Sequence, residues 1–135
     1  MYQGSLPGAV QREREALLES SARFLKERGL PRLRIHDLAG YEEPPDHLIP
    51  VLNVAMRADL EATDTGGACR TLGLVEVASD LGDEACGRRW QALGRWAEDH
   101  RAELLVFVSA EHTARARAIA RAWHLDPGLI VEFKP

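Results

Sequence analysis

Ala55-Met56-Arg57-Ala58-Asp59-Leu60-Glu61-Ala62-Thr63-Asp64-Thr65-Gly66-Gly67-Ala68-Cys69-Arg70-Thr71-Leu72-Gly73-Leu74-Val75-Glu76-Val77-Ala78 is the stretch on which the fold turns. Asp64-Thr65-Gly66-Gly67 supplies residues that tolerate positive φ, so the stretch reads as a β-hairpin reversed at that point. The first arm enters at residue 51 and runs to 63. It carries Asp59 and Glu61 two apart, which places both on one face of a strand. The second arm, Leu72 to Ala78, is apolar except for Glu76. A carboxylate inside an apolar strand is costly unless a hydrogen-bond donor, an arginine or a bound cation compensates it. Which of these Asp59 and Glu76 receive is the functional question.

Upstream of the hairpin, residues 8 to 28 repeat Ala9, Val10, Ala16, Leu17, Phe24 and Leu25 at helical spacing, with Gly29 and Pro31 as a stop. Glu13 falls inside that apolar stripe; it reads either as a carboxylate near the helix N-terminus, favoured by the dipole and reaching water, or as one aimed over the sheet toward Asp59 and Glu76. Leu33 to Leu38 is a weak strand. Ala39 to Pro50, with Pro44, Pro45 and Pro50, reads as a surface loop overhanging the hairpin. Downstream, Asp83 reads as the cap of a helix over 84 to 99. Glu103 to Val108 is a strand apolar on both faces, as in the middle of a parallel sheet. Ser109 precedes a third helix near 111 to 124, and Leu129 to Phe133 is a last strand. The expected architecture is one α/β domain spanning 1–135, a three-layer α/β/α sandwich with a mixed central sheet.

Composition sets outer limits. At 135 residues the chain is long enough for a real core, and a formal charge of −4 argues against a strongly basic nucleic-acid grip while permitting a local basic face. The basic residues are arginines except for Lys26 and Lys134. Cys69 and Cys86 lack ligand-type spacing and read as buried reduced thiols. The five histidines, His36, His47, His100, His112 and His124, show no zinc-ligand pattern, and His36 and His112 read as exposed polar residues. Without a signal-like N-terminus or a run able to span a bilayer, a cytoplasmic protein with no membrane partner is expected.

Adjacent strands of a hairpin bring side chains about 5 Å apart. Asp59, Glu76 and the Val77 carbonyl therefore offer an oxygen ligand set for Mg²⁺ or Mn²⁺. The order helix, strand, hairpin, helix, strand, helix, with Val75-Glu76-Val77-Ala78-Ser79-Asp80 leading into Arg89-Trp90-Gln91, resembles the restriction-endonuclease-like, or PD-(D/E)xK, nuclease superfamily, element order α-β-β-β-α-β-α-β. The resemblance implies metal-dependent phosphodiester cleavage, with Asp59 and Glu76 as catalytic metal ligands and Glu13 assisting from the first helix. The sequence departs from that pattern at Ala58, where the motif has proline, and at Ala78, where it has lysine. Gln91 or Arg88 on the second helix is the expected replacement helper, and Arg88 with Arg89 the expected nucleic-acid contact. If acids converge without a cation, one of them should hold a proton.

Two other classes of function compete. A nuclease-like fold without catalysis would serve as an interaction or assembly module, with homo-oligomerisation expected and Trp96 and Trp123 at the interface. A small-ligand binder would hold an anion at Ser109 and the amides that follow it.

Overall fold

The computed structural model describes residues 5–50 and 52–134. Its elements are α1 (Ser5–Glu27), β1 (Arg32–Ile35), β2 (Asp46–Ile49), β3 (Val54–Arg57), β4 (Leu60–Thr63), β5 (Arg70–Val75), α2 (Asp83–Asp99), β6 (Glu103–Ser109), α3 (Thr113–Ala122) and β7 (Ile130–Phe133). Five strands form one sheet in the order β1-β4-β5-β6-β7. The first three are antiparallel and the last three parallel. Apart from an inserted two-stranded sheet, β2 with β3, the order is the expected α-β-β-β-α-β-α-β, and the layers are α/β/α with a mixed sheet.

Two cores hold the layers together. On one face α1 buries Leu17, Leu18, Ala22 and Leu25 against Leu60, Ala62, Val75, Leu105 and Phe107. On the other, α2 and α3 bury Trp90, Leu93, Ala116 and Ile119 against Leu72, Leu74, Val106 and Val108. Both β5 and β6 thus contribute alternate residues to both faces, which is why they read as nearly continuous apolar runs. Gly73 is required where it stands, because a side chain would run into Leu60 and Phe107. Gly87 has the same role between helices, where a Cβ would collide with the Trp123 indole.

The turn at Asp64–Gly67 forms as expected. The Gly67 N–H donates to the Asp64 carbonyl at 3.1 Å, and Gly67 has φ +76°. The first arm, however, is broken. Residues 60–63 pair with β5, whereas residues 54–57 turn away and pair with Asp46–Ile49. Of the expected arm, Val51 lies outside the described residues. The stretch read as a proline loop therefore contains a strand. Its turn has no glycine; Asn53 takes the left-handed conformation instead, at φ 53°, a role asparagine tolerates. Helix α2 is preceded by Gly82 in the cap position, with Asp83 in its first turn, where its charge favours the helix dipole. A short 3₁₀ turn over Ala110–His112 separates Ser109 from α3.

Candidate functional site

The candidate residues Asp59 and Glu76 collect where β5 and β6 end and β4 begins. Asp59 precedes β4, and its backbone is locked from both sides: its N–H donates to the Gly73 carbonyl at 3.0 Å and its carbonyl accepts from His36 at 2.8 Å. Its carboxylate, almost wholly buried, accepts from the Val75 N–H at 2.9 Å through Oδ2. Through Oδ1 it accepts from Arg14 Nη2 at 2.9 Å and Arg89 Nη2 at 3.2 Å. Glu76 follows β5 on the same sheet face, also buried. Its Oε2 accepts from Trp90 Nε1 at 2.8 Å and lies 4.0 Å from Arg89 Nη1. The two acids thus meet at one guanidinium. Burial drives the Glu76 carboxyl up to about 7, against the Trp90 hydrogen bond and the Arg89 charge, which favour the ionised form; the Asp59 charge adds a smaller upward push.

The α2 side chains that reach the acids are therefore one step from the Arg88 and Gln91 expected there. Arg88 is exposed and pairs with Glu84 at 2.9 Å, and Gln91 donates to the Trp123 carbonyl at 3.3 Å. Arg89 and Trp90, between them, face the acids. The reason is helical phase: Trp90 lies in the buried stripe with Cys86, Leu93 and Ala97, and Arg89 sits at its margin. On α1 the shift is likewise one residue. Arg14, not Glu13, reaches Asp59.

Glu13 instead joins Glu111 and His112. Their ligand atoms all lie within 4.8 Å of one another, the one group of three or more such residues among those described that is close enough to hold a metal ion. Two carboxylates and an imidazole form a mixed donor set suited to a divalent transition ion. A cavity of about 340 Å³ lined by Glu13, Ser109, Glu111 and Lys134 adjoins them. That wall is acidic, so it does not favour the anion expected at Ser109. Nothing in the sequence linked these three residues, since α1 and the end of β6 are brought together only by the parallel sheet.

At Asp59, three of roughly four acceptor directions of the carboxylate are already taken. The Val77 carbonyl accepts from the Asp80 N–H at 2.9 Å. As arranged, this end of the sheet presents two guanidiniums where a cation would have to sit, so the donor set does not fit Mg²⁺ or Mn²⁺. Ala78 opens the 3₁₀ turn Ala78–Asp80, exposed and beyond the end of β5. Cys86 donates its thiol to the Asp80 carbonyl at 3.1 Å and is pushed up to about 11 by burial, which keeps it neutral; Cys69, expected to be buried, is exposed.

A second polar cluster escaped sequence reading. His47 is buried, its Nε2 2.9 Å from Glu61 Oε2, and its ring stacks on Trp96 at 3.8 Å. His100 covers the other face of the indole at 4.0 Å. Trp96 is thus interior rather than interfacial, and it clamps the β2–β3 hairpin to α2. Trp123 is half-buried against the same core. No described helix is long and apolar enough to cross a membrane. No protein-family model, curated protein or solved structure matches this chain.

Proposed function

We propose that residues 1–135 form one restriction-endonuclease-like (PD-(D/E)xK) domain that binds nucleic acid without hydrolysing it. The observation that carries this reading is the convergence of Asp59 and Glu76 on Arg89. Acids at the start of one strand and just past the next, met by the helix that follows, occupy the places the resemblance assigns to the metal ligands. Here arginine supplies the positive charge. Arg14 and Arg89 neutralise Asp59, Glu76 holds a proton for part of the time at neutral pH, and Ala78 brings neither charge nor proton. A divalent ion, when present, belongs at Glu13, Glu111 and His112, where an imidazole favours Mn²⁺ over Mg²⁺.

The test is incubation of pure protein with plasmid and branched DNA in Mg²⁺ or Mn²⁺, beside a binding titration at several salt concentrations. The expected result is no cleavage, with affinity that falls as salt rises. Cleavage that disappears in Asp59→Ala and Glu76→Ala would reinstate the catalytic reading, and absence of any binding at low salt would remove the nucleic-acid one.

One observation favours the assembly module as second reading. Among the described residues, the large apolar side chains that stand exposed, Leu48, Leu52 and Val54, all belong to the β2–β3 hairpin, and clustered exposure of this kind marks contact surfaces. Analytical ultracentrifugation of wild type and Leu48→Ser would decide it. A dimer that the variant dissociates supports the module, and a monomeric wild type excludes self-assembly.

A further inference from the structure

The end of the sheet opposite the acid pair carries a different concentration of charge. Arg32 and Arg34 lie two apart on β1, and the antiparallel register sets Arg32 beside Thr63 and Thr63 beside Arg70, with Arg34 beside Glu61. All five residues share one face of the sheet. Helix α2 packs on β6 and β2 rather than on β1, so this corner is left open. The result is a groove of about 530 Å³ whose lining also includes Glu42, Pro45 and Gly67.

The charges within it are not balanced. Glu61 is committed to His47 at 2.9 Å and to Arg70 at 3.5 Å. Glu42, largely in solvent, is 3.7 Å from Arg34. Arg32 forms no ion pair among the described residues. Three guanidiniums therefore face two carboxylates, one of them buried in an internal cluster. Residues i and i+2 of a strand are roughly 6.5 Å apart, a spacing comparable to that of successive phosphates along an extended nucleic-acid strand. The lining contains no aromatic ring, so it offers nothing on which a base could stack.

We propose that this groove is a phosphate-contacting site for the backbone of a nucleic-acid strand, with Arg32 and Arg34 on successive phosphates and Arg70 as the fixed inner wall. The site rests on the nucleic-acid reading above and lies apart from the acid pair. It recognises charge and spacing, not sequence.

The probe is a fluorescein-labelled single-stranded 20-mer, followed by anisotropy from 50 to 200 mM salt. For Arg32→Ala/Arg34→Ala the slope of log K against log salt should shrink by about 1.4, at roughly 0.7 per lost phosphate contact on a single strand. Glu42→Gln should tighten binding a few-fold. All three positions are exposed, and circular dichroism checks that the variants fold. A wild type that does not bind overturns the proposed function itself. A wild type that binds, with an unchanged slope in the double variant, overturns the groove alone and leaves binding to be placed elsewhere.

Discussion

Two groups of acids lie at the same end of this molecule, and they have been treated in opposite ways. Asp59 and Glu76 are buried, and every charge they carry is answered from within the protein: Arg14, Arg89, the Val75 amide and the Trp90 indole. Glu13, Glu111 and His112 are half-buried or exposed, and no arginine or lysine pairs with them among the described residues. The first group is part of the structure's own electrostatics. The second is still open to an external cation. Identical carboxylates therefore differ in chemistry because of what the next helix turn delivers to them.

The sharpest way to break this comparison is to delete one acid from each group. Asp59→Ala leaves the Val75 amide and two guanidiniums without their partner, and about 3 kcal/mol of stability should be lost in a denaturant titration. Glu13→Ala removes a like charge from a pair and should change stability by less than about 0.5 kcal/mol. Equal losses would mean that Glu13 is structural too.

Glu76 gives the comparison a pH axis. Its folded carboxyl titrates at about 7, above the ordinary 4.5. The fold therefore binds the proton more tightly than the unfolded chain does. That stabilisation is complete below about 4.5 and disappears as pH rises through 7, by at most about 3 kcal/mol. Glu76→Gln keeps an acceptor for Trp90 and should flatten the decline between pH 5 and 8. A wild-type profile without this slope would show that Glu76 is charged throughout.

The open group should respond to metal. Mn²⁺ at ten times its Kd should raise stability by about 1.4 kcal/mol, and His112→Ala should abolish the increase while Arg89→Ala should not. A manganese effect that follows Arg89 instead would move the cation to the acid pair. The smallest effect is expected of Ala78→Lys. The position is exposed, so stability should stay within about 0.5 kcal/mol and no cleavage should appear, because the guanidiniums remain. Cleavage on adding this one lysine would show that the clamp opens.

The hairpin turn, the apolar strands β5 and β6 and the three helices were legible because each rests on a local pattern. Asp59 and Glu76 could be placed on adjoining arms of one ribbon, but the group that joins them, the Arg89 guanidinium of α2, lay outside that local pattern. The strand Asp46–Ile49 was not legible: four residues between prolines carry too little alternation, and its stability comes from His47 stacking on Trp96 of a helix that follows much later. Arg14 and Arg89 were each missed by one position because helical phase depends on which stripe the core accepts, and that core is built from distant segments.

By itself the sequence determined the layered α/β order and the presence of carboxylates in apolar surroundings, since backbone periodicity and turn chemistry act between near neighbours. Only the tertiary structure decided what balances those carboxylates. Charge compensation acts through space over a few ångströms, and residues 14, 59, 76 and 89 come that close only after both helices have packed on the sheet.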